Sequence, residues 1–183
     1  MAISLKKNSG INLEKGLKNL ILTVSWDTKM DIDIHALLLT DGRAGEDDDF
    51  IFYGNLEHPS GAIIHSGDVK DGSRATGVDD EYITIVMDEI PPIKNQILLS
   101  ASIHNAVNRG QHFGKATDAV CKLIDKDTNE VLVQYALDQD LIGEHCAKIA
   151  QLTKEGSVWR FTALGQPMPS LERILLDAGL EVE

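Results

Sequence analysis

The apolar residues come in about ten short runs, each closed by Gly, Asn, Asp or Pro, and this punctuation limits the fold more than any other feature. The runs are Leu20 to Trp26, Ile32 to Leu39, Phe50 to Tyr53, Ala62 to His65, Tyr82 to Met87, Gln96 to Ile103, Ala119 to Ile124, Val131 to Ala136, Lys148 to Leu152 and Val158 to Leu164. Several alternate with period two, as Tyr82-Ile83-Thr84-Ile85 does. That is the period of a strand with one buried face. Short strands without long amphipathic segments between them exclude a βαβ sheet and predict an all-β sandwich. One helix is predicted near the carboxy terminus. Pro169-Ser170 starts it, Glu172 sits in its first turn, Leu171, Ile174, Leu175 and Ala178 share a face, and Gly179 stops it. A chain of 183 residues with 43% hydrophobic content suits one domain, residues 1–183, with no linker or internal repeat to divide it.

Charge is the second constraint. The chain carries 29 acidic and 17 basic residues, a formal net charge of −12. Such a surface repels phosphate backbones, which argues against a nucleic-acid partner. The charge is also concentrated. From Asp41 to Glu81 there are eleven acids and three bases, a net of −8. Asp31 and Asp33 open a strand on one face, Asp47-Asp48-Asp49 leads into Phe50, and Gly67-Asp68 begins a Gly-rich loop that ends in Asp79-Asp80-Glu81. Calcium takes six to eight oxygen ligands from carboxylates, amides and carbonyls, and a loop of this kind offers them. Read from the residues alone, a solvated acidic surface explains the same pattern equally well.

Other sites are weaker. Asp125-Lys126-Asp127-Thr128-Asn129 starts like an EF-hand, but Glu130 stands where Gly is required, so the segment reads as a hairpin turn. Six His and two Cys never fall at zinc spacing. Cys121 and Cys146 sit in or beside apolar runs and read as packing residues of a reduced protein. His104 with Arg109 suggests a base and an anion clamp, yet no activated nucleophile accompanies them. The expectation is a structural His, with Arg109 paired to nearby acids, and a chain that is not an enzyme. Trp26 and Trp159 are expected in the core, and the acidic segment is expected to lack exposed Trp, Phe or Leu. Neither an export signal nor a membrane-spanning run is apparent, so a cytoplasmic location is expected.

The motifs resemble those of the TerD-type tellurite-resistance and stress-protein family. Ser25-Trp26-Asp27 is similar to the family's "GWD", Met30 to Leu39 to "FDLDASAFLL", and Asp49 to Asn55 to "DFVFYNN". His65 to Asp68 is similar to "HTGD", Asp79-Asp80-Glu81 to "DDE", and Ile103 to Gly114 to "IHDA…RGQNFG". The resemblance implies a calcium-binding β-sandwich with acidic loops at one end. It implies metal ligation by Asp68, Asp79, Asp80 and Glu81, then by Asp31, Asp33 and Asn55. Its implied partners are calcium and other Ter-type stress proteins at the inner face of the membrane, in tolerance to tellurite, chemical or phage stress. The alternative reading is a calcium-dependent membrane-docking domain, helped by Arg43, Lys70 and Arg74. Two departures imply weaker binding at one of two sites. Asn105 replaces the family's Asp, and Thr76-Gly77-Val78 precedes Asp79 where the family tends to read "GDG".

Overall fold

A computed structural model describes residues 2–26, 30–67, 81–116, 119–137 and 140–182. In chain order the strands are β1 (Ile3–Ser4), β2 (Gly10–Asn12), β3 (Asn19–Ser25), β4 (Ile32–Leu39), β5 (Phe50–Ile51), β6 (Ile63–His65), β7 (Glu81–Val86) and β8 (Gln96–Ile103). A single helical turn, α1 (Ala106–Arg109), comes next, then β9 (Val120–Asp125), β10 (Glu130–Ala136), β11 (Cys146–Glu155), β12 (Val158–Pro167) and α2 (Leu171–Asp177). They form two six-stranded sheets, ordered β1-β10-β9-β3-β7-β6 and β2-β12-β11-β8-β4-β5. The expected all-β sandwich with a carboxy-terminal helix is what forms. Strands β1 and β2 are additions, too short to show alternation in sequence. The segment 125–130 is indeed a hairpin turn, with Asn129 in the left-handed region joining β9 to β10.

The main core lies between the sheets and takes the inward face of the longer strands. From β4 it takes Ile32, Ile34, Ala36 and Leu38. Strand β4 is nevertheless buried along its whole length. Its outward residues Leu37 and Leu39 enter a second cluster with Phe50, Leu98, Met168 and Ile174, formed where α2 lies on the outside of the sheet. This second layer explains why alternation fades into Ala36-Leu37-Leu38-Leu39. The helix starts as its sequence predicts, with Ser170 Oγ accepting the Arg173 N–H at 3.2 Å. It ends at Gly179, and the Ala44 N–H donates to Ala178 C=O at 2.9 Å, which ties the helix end to the loop after β4.

Trp26 is buried and its indole N–H donates to Met30 C=O at 2.9 Å. Trp159 departs from expectation and is only half-buried, because β12 lies next to the short edge strand β2. Gly165 in β12 has φ +52°, and a Cβ there would run into the Tyr135 hydroxyl. That hydroxyl is itself held, donating to Asp140 Oδ2 at 2.7 Å. Gly165→Ala is therefore expected to cost about 1–3 kcal/mol, read as a shift of the urea midpoint at unchanged slope.

Candidate metal-binding rim

Strand ends gather at one rim of the sandwich. The start of β4, the end of β8, the end of β6, the start of β7 and the start of β11 all lie there, as the pairings Ile32 with Ile103, His65 with Ile83, Val24 with Glu81 and Cys146 with Ser102 require. Asp31 precedes β4, and its carbonyl accepts the His104 N–H at 2.8 Å. Asp33 sits opposite Ser102 on the outer face and is 9% exposed. Glu81, the first residue of β7, is 1% exposed.

Glu81 has a role that sequence does not show. The short strand β5 pairs only with Ala36 and Leu37, so it does not reach the N–H and C=O of Ile34. Glu81 Oε2 accepts that N–H at 3.0 Å, and His65 Nε2 donates to that C=O at 3.0 Å. The Gly67 N–H donates to His65 Nδ1 at 2.9 Å, which leaves Nε2 as the protonated nitrogen. The Glu81 carboxylate stands 3.8 Å from the same Nε2. Side chains of one sheet thus complete the backbone bonding of the other. They also pin both residues that flank segment 68–80, Gly67 and Glu81, to the edge of β4.

The other expected ligands are distributed as follows. Asn55 closes a tight turn with Phe52, and its Nδ2 donates to Phe50 C=O at 2.9 Å. Asn105 is exposed and adopts the left-handed conformation before α1, a geometry that Asn and Asp share. Asp68, Asp79 and Asp80 lie outside the described residues. Among the described residues, no group of three or more His, Cys, Asp or Glu is arranged to hold a metal. The rim acids Asp31, Asp33 and Glu81 are oxygen donors, the kind a hard cation such as calcium takes, while Asn55 belongs to the turn after β5.

A second acidic feature resolves differently. Of Asp47-Asp48-Asp49, only Asp49 is buried. Its Oδ2 accepts from Lys94 Nζ at 2.7 Å, from the Gly45 N–H at 2.8 Å and from the Glu46 N–H at 3.1 Å. Its Oδ1 lies 2.9 Å from His58 Nε2. The Ser60 N–H donates to His58 Nδ1, so Nε2 is the donor to Asp49. Burial alone would push the Asp49 carboxyl up; Lys94, His58 and the Gly45 and Glu46 amides together outweigh it and hold the carboxyl below its ordinary value. Three consecutive Asp residues gave no sign of which one turns inward, since both partners are remote in sequence.

The residues that suggested chemistry in the sequence have structural surroundings. Cys146 is buried and burial raises its thiol to about 11, against a weaker opposing effect of the Ala147 amide, so its reactive thiolate is scarce at neutral pH. His104 is exposed, and among the described residues its ring is hydrogen-bonded to the neighbouring Asn105 amide, at 3.1 Å. Its backbone N–H ties the end of β8 to Asp31, the residue before β4. Arg109 is exposed, and among the described residues no carboxylate pairs with it, contrary to expectation. The acidic segment also has an exposed large apolar residue after all: Leu56 is 44% exposed, because the turn before it carries the chain out from one sheet to the other.

Two packed sheets, antiparallel except where β1 joins β10 in parallel, with loops gathered at one rim, define a loop-bearing β-sandwich. The model of the TerD domain family matches residues 1–175, and the chain belongs to that family. It is 33% identical to General stress protein 16U of Bacillus subtilis (strain 168), an alignment that covers all of both chains. It is 32% identical to Tellurium resistance protein TerD of Serratia marcescens over 91% of each. The crystal structure of a homologue of telluride resistance protein (TerD) from Streptomyces coelicolor A3(2) superposes with a TM-score of 0.69 at 19% identity, covering 85% of this chain and 92% of that one. The fold and the tellurium-resistance and stress-response family are thereby established. Among the described residues, no helix is long and apolar enough to cross a membrane.

Proposed function

We propose that this chain is a calcium-binding stress-response module that presents its acidic loops to partner proteins and performs no catalysis. The supporting observation is that Gly67 and Glu81, the residues flanking the segment that carries Asp68, Asp79 and Asp80, are both tied to the start of β4, the strand that carries Asp33 and follows Asp31. Calcium would be held by Asp68, Asp79, Asp80, Glu81, Asp31, Asp33 and Asn55. It would draw together carboxylates that otherwise repel one another, and so change the charge of the face offered to other Ter-type stress proteins. With Glu81 Oε2 accepting the Ile34 N–H, a metal-holding role for this residue falls to Oε1.

A ligand bound only by the native state raises stability by mass action, about 2.7 kcal/mol at a hundredfold excess over Kd. Calorimetric titration of chelator-treated protein with calcium is expected to give saturable heat, and calcium to raise Tm. Asp68→Asn combined with Asp80→Asn is expected to remove most of both effects. Absence of saturable heat in the unsubstituted protein would sink the calcium reading.

The membrane-docking alternative draws support from apolar side chains exposed on loops of the same rim. Val107 is 79% exposed and Ile142 62%. Calcium-dependent sedimentation with anionic vesicles, lost in Val107→Asp with Ile142→Asp, separates the two readings.

A further inference from the structure

On the outside of the sheet, a groove of about 370 Å³ runs between β5 and the end of α2. Its floor is apolar, with Phe52 from the β5 side and Leu175 and Val182 from the helix side. Its border is acidic: Asp47 and Asp48 stand on the turn before β5, and Glu181 follows α2. No Lys, Arg or His enters the lining among the described residues. Cations near this end of the molecule are placed elsewhere. Lys94 is bonded to Asp49, Arg173 is paired with Asp177 on α2, and the Arg43 guanidinium lies against Gly179. Asp47, Asp48 and Glu181 are exposed, and among the described residues no side chain pairs with them. The apolar strip also runs past the groove. Phe52 meets Tyr53 edge-on, ring centroids 5.3 Å apart, and Tyr53 is 55% exposed.

Exposed ion pairs are individually weak in water, so three carboxylates alone hold no partner. Burial of an apolar side chain against Phe52, Leu175 and Val182 supplies what the charges lack. A surface longer than a small molecule, apolar along its middle and acidic along its border, fits a cationic, amphipathic peptide segment. We infer that this groove docks a basic segment of a partner protein. The segment sets an aromatic or aliphatic side chain on Phe52, Leu175 and Val182, and its flanking Lys or Arg reach Asp47, Asp48 and Glu181. A second copy of this chain is disfavoured as occupant, because two chains of formal charge −12 repel one another. The inference gives the partner of the proposed module a chemistry and rests on that module having protein partners; it does not require calcium.

The test titrates four probes into the full chain in chelator at about 0.05 M salt, where screening is modest, with amide chemical shifts as readout. They are the amidated peptide Lys-Lys-Phe-Leu-Lys-Lys, its form with Glu for every Lys, its form with Ser for Phe and Leu, and spermidine. The Lys-Phe peptide is expected to saturate, with its largest shifts at Asp48, Phe52, Leu175 and Val182. The Ser form and spermidine should bind at least about fivefold more weakly, and the Glu form should produce no shifts there. Raising the salt to about 0.5 M should weaken the Lys-Phe peptide about fivefold or more. Asp47→Asn, Asp48→Asn and Glu181→Gln combined, all exposed positions, should weaken it about tenfold while the remaining spectrum stays folded. Val182→Lys, an exposed wall position, should block it. Parent-like binding by the triple variant, Glu-peptide binding at the same residues, or shifts confined elsewhere would overturn the assignment. Spermidine or the Ser form binding as tightly would reduce the groove to a plain cation site, and self-association through these residues would give it to a second copy; either result overturns the proposal. Failure of the calcium titration would leave this groove untouched, and failure here would leave the calcium reading untouched.

Discussion

Lys94→Met is expected to lower Tm by about 10 °C. The Lys94 ammonium and the Asp49 carboxylate are both nearly excluded from solvent and 2.7 Å apart. Removing one partner leaves the other buried without its counter-charge, which costs about 3–5 kcal/mol. His58 and the Gly45 and Glu46 amides still bond Asp49, so the cost falls toward the lower end. The same hub sets an acid limb of stability. Because the folded Asp49 carboxyl is held below its ordinary value, the unfolded chain takes up the proton first as pH falls. The contribution is intact above about pH 4, the ordinary Asp range, and fades as pH drops further through the folded value. Asp49→Asn should flatten that limb in urea melts between about pH 5 and pH 2. A Lys94→Met protein that melts like the parent would show the pair to be energetically idle.

Glu81→Ala is expected to destabilise the chelator-treated protein by about 2–4 kcal/mol, and Glu81→Gln by much less. Alanine strands the Ile34 N–H inside the sandwich and opens a cavity next to His65, whereas glutamine keeps an acceptor oxygen in reach of that N–H. The distinction matters because Glu81 also belongs to the proposed calcium set. A purely metal-holding Glu81 would leave calcium-free stability unchanged in both variants. A structural Glu81 separates alanine from glutamine with no calcium present. Thermal melts in chelator, followed by calcium addition, measure the two contributions apart.

The strands were legible because burial on one face enforces period two, and the turns between them because Gly, Asn and Asp tolerate backbone that others resist. Helix α2 was legible from its Ser170 cap and its apolar spacing. Less was legible where contacts come from far along the chain. Asp47, Asp48 and Asp49 read alike, and only the folding of Lys94 and His58 onto the loop selects the third. Glu81 read as one acid of a loop, and only the short reach of β5 along β4 makes it a backbone acceptor.

Local residue chemistry therefore specified the sandwich, the family motifs and the acidic loops, since these depend on period, turn geometry and charge written along the chain. Tertiary structure alone decided which carboxylates turn inward and what they hold. A buried charge persists only where distant groups supply its hydrogen bonds and counter-charge, and that supply exists only once the two sheets have met.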